Sequence, residues 1–325
     1  MGDTRQKTEA GNREPGGRQA VATRDAYGAA LFELGKRRED VVVLDADLSG
    51  STKTAKFAKA FPGRFFNMGI SEQDMIGTAG GLSLAGKVPF ASTFAIFETG
   101  RAWEQIRQTV CYSGLNVKLV ATHGGITVGE DGASHQSIVD VALMRALPGM
   151  TVIVPADGME TEQVIIAIVD YNGPVYVRLG RMKAPAVMPD DYKFDMGKAY
   201  LFHLGKDANI IACGIMVSSA LEARKMLASE GLDVGVINMP TVKPLDAEAV
   251  LKAARSSRLV VTAEEHSIIG GLGSAVCELL SEEHPVKVKR VGVKDKFGKS
   301  GKPGELLEAY GLTAKGIVDT IKTSL

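Results

Sequence analysis

A chain of 325 residues has room for two domains of about 100–200 residues each, with a core in each. Apolar residues make up 45% and charged residues 23%, and Lys plus Arg equals Asp plus Glu at 38 each. A zero net charge gives no support to nucleic acid or a membrane surface as the main partner. Cys111, Cys213 and Cys277 have neither zinc-ligand nor redox-motif spacing, so buried free thiols in a reducing cytosol, and hence a cytoplasmic protein, are expected. Residues 1–19 are polar and charged, and they lack the apolar run of a signal peptide or anchor. That composition predicts a disordered tail.

Beyond the tail, short apolar runs alternate with amphipathic stretches. Strands are expected at Val41–Leu44, Arg64–Asn67, Val88–Ala91, Val117–Ala121, Thr151–Val154 and Val175–Val177. Helical periodicity falls near 24–36, 72–85, 98–112, 136–146 and 158–170. Ser71 followed by Asp74 fits a side-chain N-cap. Strands that are apolar on both faces, separated by helices, predict an open, mostly parallel sheet. Pro185, Pro189 and two aspartates break the rhythm, so 182–197 reads as a linker between domains at 20–181 and 198–325. A second alternating series follows, with strands near Asn209–Ala212, Val234–Ile237, Leu259–Thr262 and Val286–Val291 and helices near 216–229, 246–255, 273–282 and 313–323. The fold class is α/β, in two consecutive parallel-sheet domains.

Four features carry chemistry. Glu72 opens a helix directly after a strand, where the helix dipole also favours a carboxylate for purely structural reasons. Phe94 and Phe97 are three apart at a strand-to-helix junction, placed either to fill a core or to stack on a planar ligand at the sheet's carboxyl edge. The segment 122–136 carries His123, Glu130, Asp131 and His135 among four glycines, a polar composition that suits a site-lining loop better than packing. The spacing of its histidines fits no compact metal motif. Arg178 and Arg181 follow the last strand of the first series, as surface cations or as a clamp for a phosphate. Gly270–Ala275 lacks the order of a dinucleotide-binding turn and reads as a tight helix start, and His266 reads as structural.

In this order the pieces resemble the pyrimidine-binding and carboxyl-terminal domains of transketolase, from about Val21 to Leu325. The resemblance implies thiamine diphosphate as cofactor, with Glu72 bonded to N1′ of its aminopyrimidine to trigger loss of the thiazolium C2 proton. It implies Phe97 as the stacking aromatic with Phe94 beside it, and Asp47 as an aspartate near the cofactor. Gly100 stands where many relatives carry a tyrosine. His123 and His135 correspond to histidines that contact the ketose and assist proton transfer, work suited to imidazole. Asp131 corresponds to the reader of a sugar hydroxyl, and Arg24, Ser51, His123 and Arg178 to the sugar-phosphate site.

The resemblance also has a gap. Transketolases hold the diphosphate through Mg²⁺ with a Gly-Asp-Gly motif in an amino-terminal domain, and this sequence has no such motif and no metal site of its own. An amino-terminal partner subunit carrying the Mg²⁺-diphosphate site is therefore expected, in a heterotetramer acting on sugar phosphates. The β subunit of a 2-oxo acid dehydrogenase, a deoxyxylulose phosphate synthase-like subunit and a non-catalytic assembly subunit are the competing readings.

Overall fold

The computed structural model describes residues 18–325. The expected tail thus lies outside the described residues except for Arg18 and Gln19, and Arg18 is tied to Asp190 and to the Met188 carbonyl. The strands are β1 (Val21–Ala22), β2 (Val41–Asp45), β3 (Phe65–Asn67), β4 (Val88–Ser92), β5 (Lys118–Ala121), β6 (Thr151–Ile153), β7 (Val175–Arg178), β8 (Lys183–Ala184), β9 (Tyr200–His203), β10 (Ala208–Ala212), β11 (Val234–Asn238), β12 (Thr241–Lys243), β13 (Leu259–Ser267) and β14 (Lys287–Val293).

The first sheet has the order β12-β6-β7-β5-β4-β2-β3 and the second β14-β13-β10-β11-β9. Apart from the antiparallel edges β12 and β9, neighbouring strands run parallel. Strands β2, β4, β5, β6, β7, β10 and β11 are buried at every position, which is why they read as unbroken apolar runs. The α/β class expected from the alternation is observed.

Several details differ from the sequence reading. The short edge strand β12 comes from residues 241–243 yet closes the first sheet, so the two sheets share chain and one apolar cluster runs from Leu44 to Leu280. The expected helix over 98–112 is instead a helix Ala95–Arg101, a break at Ala102, and a π-helical turn at Ile106–Tyr112. The helix expected over 136–146 shrinks to Asp140–Arg145, because 136–139 are held by loop contacts. Ser71 stands at the N-cap of Glu72–Leu84, but its side chain makes no capping bond. Of the cysteines only Cys213 is buried; Cys111 and Cys277 are half-buried, and all three are free. Among the described residues no helix is long and apolar enough to cross a membrane, and no group of three His, Cys, Asp or Glu is placed to hold a metal ion.

The segment 182–197 is packed rather than loose. Asp157 caps the helix Gly158–Asp170 with Oδ1, which accepts from Glu160 N at 2.9 Å. Its Oδ2 accepts from the Val187 and Met188 amides at 2.8 and 2.9 Å, and Val187, Met188 and Tyr192 are buried. One carboxylate thus satisfies three buried N–H groups. Loss of a cap costs about 1 kcal/mol and each orphaned amide about 1–3 kcal/mol. Asp157→Ala is therefore expected to lower stability by about 3–7 kcal/mol in urea unfolding, whereas Asp157→Asn, which keeps one acceptor, should lose less than half of that.

Candidate functional site

Apart from Arg24, in the helix after the separate strand β1, the candidate residues follow the carboxyl ends of strands of the first sheet, the edge at which open α/β sheets bind ligands. At the end of β2, the buried carboxylate of Asp45 accepts from Leu48 N (2.6 Å), Thr52 Oγ1 (2.6 Å) and Thr54 Oγ1 (2.9 Å). These bonds fold the chain into a tight turn that presents Asp47, at φ 63°, and Ser51. Asp47 Oδ1 accepts from Asn67 Nδ2 at the end of β3. Five residues beyond β3, Glu72 opens its helix while almost fully buried.

After β4 the rings of Phe94 and Phe97 lie 5.6 Å apart at 15°. The Arg101 guanidinium sits over the Phe97 ring, 4.3 Å from its centroid, and its Nη1 donates to Glu72 Oε1 at 2.9 Å. A flat, hydrogen-bond-donating cation thus lies on the aromatic face while bonded to the glutamate. The same stack and acceptor suit an aminopyrimidine, so this structure supports the fit of these residues to a thiamine-type ring.

After β5, His123 adopts φ 59° and stacks on Phe94 at 3.7 Å. Its Nε2 lies 3.0 Å from Arg24 Nη1, and its Nδ1 lies 2.8 Å from Thr122 Oγ1. Arginine only donates, so Nε2 is the acceptor and Nδ1 carries the proton. Burial, reinforced by the Arg24 and Arg181 charges, pushes its pKa down to about 3, so the ring is neutral through the physiological range. Arg24 Nη1 also donates to the Ser51 carbonyl at 3.2 Å. His135 meets Phe97 edge-on at 5.3 Å, and its Nδ1 lies 3.0 Å from Ser134 Oγ. Asp131 pairs with Arg181 Nη1 at 3.3 Å. The structure therefore draws Arg24, Ser51, His123, Phe94, Phe97 and His135 into one cluster around Glu72 and Arg101, with Asp131 and Arg181 at its rim.

Arg178 is the exception. It is 6% exposed; its Nε donates to Asp140 Oδ2 at 2.9 Å, and its Nη2 donates to the Ser137 and Glu265 carbonyls at 3.2 and 2.7 Å. Burial opposes its charge, but Asp140 and Glu265 more than compensate and hold the cation firmly protonated. Its Nε and Nη2 are thus spent on protein acceptors and only Nη1 is left to reach a ligand, so Arg178 is first of all a structural cation. Arg181, three residues on, is 37% exposed at its side chain and lies close enough to Arg24 and His123 for its charge to act on both. The pair Arg178/Arg181 was visible in the sequence; which one points inward was not.

Sequence reasoning also passed over Arg101 and Glu98, which share the short helix after Phe94. Glu98 is fully buried, neither carboxyl oxygen has a hydrogen-bond partner, and burial, then the nearby Asp45 and Glu72 charges, raise its pKa well above the usual carboxylate range. An acid among Ala95, Ile96, Phe97 and Thr99 was the available signal. The Gly270–Ala275 turn is closed by protein: Leu272 N and Gly273 N donate to Glu264 at 2.7 and 2.8 Å, leaving that helix start no anion to bind. His266 is buried between Ser267 O and Ala142 N, as a structural histidine.

Comparison with known proteins places this site in context. Residues 19–186 match the family described as transketolase, pyrimidine binding domain, and residues 197–317 match transketolase, C-terminal domain. A protein of Methanocaldococcus jannaschii described as a transketolase C-terminal section is 51% identical over 92% of this chain and 94% of its own length. A 6-deoxy-6-sulfo-D-fructose transketolase subunit of a Clostridium species is 44% identical over 91% of this chain and 92% of its own. Among solved structures, a split gene transketolase, described as an inactive β4 tetramer, superposes with a TM-score of 0.86 at 53% identity, covering 94% of this chain and 98% of that one. The transketolase of Campylobacter jejuni superposes with a TM-score of 0.80 at 27% identity, covering 94% of this chain but 47% of that one.

Two measurements check the electrostatics. Removing one member of a buried ion pair costs about 3–5 kcal/mol, whereas an exposed pair is worth about 0–1 kcal/mol. Arg178→Met is therefore expected to depress the thermal midpoint severely, and Arg181→Met to leave it nearly unchanged. Glu98 favours its protonated form in the folded chain, so its stabilising contribution is full below the unfolded carboxylate pKa and is lost as pH rises. The advantage of Glu98→Gln over the parent should thus grow between pH 5 and pH 8, by up to about 1.4 kcal/mol per pH unit.

Proposed function

The chain belongs to the transketolase family, and on that premise we propose that it is the carboxyl-terminal subunit of a split, thiamine-diphosphate-dependent transketolase. It would move a two-carbon ketol unit from a ketose phosphate to an aldose phosphate once an amino-terminal partner completes the site. The observation that carries this reading is the Glu72–Arg101–Phe97 arrangement, a carboxylate acceptor beside an aromatic face already occupied by a flat donor.

Bound thiamine diphosphate would supply the nucleophilic carbon that cleaves and remakes the bond next to the ketose carbonyl. This chain's residues supply the rest. Glu72 would bond the pyrimidine N1′ once Arg101 yields its place, and Phe97, backed by Phe94, would take the ring face. Asp47, just past β2 and bonded to Asn67, would border the bound cofactor. His123, neutral with its proton on Nδ1, presents a hydrogen-bonding ring to the substrate, and His135 stands across the aromatic pair as a proton carrier. Arg24, Ser51 and Arg181 make the cationic end that suits a sugar phosphate, with Asp131 at its side to accept from a hydroxyl.

Mg²⁺ and its ligands belong, in this reading, to the partner. Two observations support an incomplete site. Full-length relatives such as the Rattus norvegicus transketolase match this chain over only 49% of their length, at 36% identity. The chain also exposes large apolar side chains at both ends of the helix that Glu72 opens, Ile70 at 78% before it and Leu84 at 76% at its far end, with Tyr112 at 82% at the end of the π-helical turn. A two-plus-two assembly would cover them. The cations Arg24 and Arg181 at one end of the site suit a phosphate and so favour this reading over a 2-oxo acid dehydrogenase subunit, whose substrate carries none.

The test is a ketol-transfer assay with xylulose and ribose phosphates, thiamine diphosphate and Mg²⁺, on this chain alone and with the candidate partner. Activity is expected only in the mixture. Glu72→Ala should abolish it, and Arg181→Ala should raise KM for the phosphorylated donor at least tenfold with kcat little changed. Activity toward 2-oxo acids in place of sugar phosphates would overturn the assignment.

A further inference from the structure

The loop 124–138 carries Asp131 and His135, yet much of what shapes it comes from the second sheet. Glu265, in β13, is buried and its Oε1 accepts from the Thr127 amide at 2.7 Å. A Cβ at Gly125, at φ +86°, would overlap that carboxylate, so the glycine is required by the glutamate's close approach. Gln136 Nε2 spans the gap, donating to the Ile126 carbonyl at 3.1 Å and to the Lys299 carbonyl at 2.9 Å. Gly132 lies against Ser300, Gly129 against Pro303, and Ser267 N donates to the Ile138 carbonyl at 2.8 Å. The other side of the loop is held by the first sheet, through Gly124 N to Leu179 O at 3.0 Å and Arg178 to Ser137 O.

Without an oxygen at the reach of Glu265 Oε1 the buried Thr127 amide would lose its acceptor, at a cost of about 1–3 kcal/mol that would loosen the turn. The turn it fixes, Ile126–Asp131, ends on the aspartate paired with Arg181 and lies four residues before His135. We propose that Glu265 is a positioning residue for Asp131 and His135, clamping the substrate-facing loop through the Thr127 amide. The second sheet then sets the geometry of a site whose substrate-facing residues all lie in the first. The kinetic part of this proposal rests on the ketol-transfer reading; the structural part does not.

The test uses Glu265→Ala, Glu265→Gln and Glu265→Asp. The glutamine variant keeps an oxygen at the same reach, while the aspartate variant keeps the charge but withdraws it from Thr127, and it serves if the alanine variant fails to fold. Hydrogen exchange across 124–138 of the isolated chain should be about tenfold faster or more in Glu265→Ala and Glu265→Asp, and within about threefold of the parent in Glu265→Gln. In the reconstituted enzyme the first two should raise KM for the ketose phosphate about tenfold, while thiamine diphosphate affinity measured by calorimetry stays put and Glu265→Gln restores KM. Unchanged exchange in both the alanine and the aspartate variants would overturn the clamp. Faster exchange with unchanged KM would overturn its positioning role. Should the parent complex transfer no ketol group at all, the reaction assignment fails by itself and the exchange result still decides the clamp.

Discussion

A buried guanidinium cannot be left unpaired, and much of the site follows from how Arg178 is satisfied. It stands at the end of β7, 6% exposed, and needs oxygen acceptors on several sides. Asp140 supplies the charge, while the Ser137 and Glu265 carbonyls supply further acceptors. Those three partners come from the start of a helix, the end of the site-lining loop and strand β13 of the second sheet. One cation thereby joins loop, helix and both sheets. Gly124 has no side chain because the Arg178 guanidinium occupies the space a Cβ would need.

The same logic of scarce solvent explains the charge pattern around Glu72. Asp45 is buried and its pKa is raised by desolvation, but three donors hold it, so it serves as the anchor of a turn. Glu98, without a donor, is pushed by burial toward its neutral form. Glu72 alone of the three has a cation on it, and that cation is only half-buried, able to leave toward solvent. Three carboxyl groups in one neighbourhood therefore differ in role because they differ in partners, and the one left open to a ligand is the one whose partner can move.

This division marks what the sequence could express. Strand runs such as Val41–Leu44 and Val175–Val177 were legible because full burial on both faces writes an unbroken apolar run. Glu72, Phe94, Phe97 and the His123–His135 loop were legible because they sit at strand ends, in segments whose composition packing alone explains poorly. What failed was always a matter of direction or of a distant partner. Arg178 and Arg181 are the same residue type three apart, and only the tertiary partner Asp140 decides which is buried. Ser71 had the right type for a cap, but its side chain makes no capping bond. Strand β12 is three residues long and borrows its sheet from residues ninety positions away, a pairing that no local periodicity records.

The transferable point concerns arginines at strand ends. A cation aimed at a phosphate must keep donors free, and in a low-dielectric setting free donors are costly, so such a residue sits at a rim with water or a mobile carboxylate as its interim partner. Arg181 meets that condition better: it is half-exposed, only its Nη1 is engaged, by the Val128 carbonyl at 2.7 Å and loosely by Asp131 at 3.3 Å, and its other donors are open to a phosphate. Arg24 meets it in part, since its Nη1 is shared between His123 and the Ser51 carbonyl and its Nε has no partner. Arg178 spends Nε and Nη2 on protein acceptors and keeps only Nη1 free. Donor accounting therefore discriminates between neighbouring arginines where proximity to the site does not, and it does so before any ligand is bound.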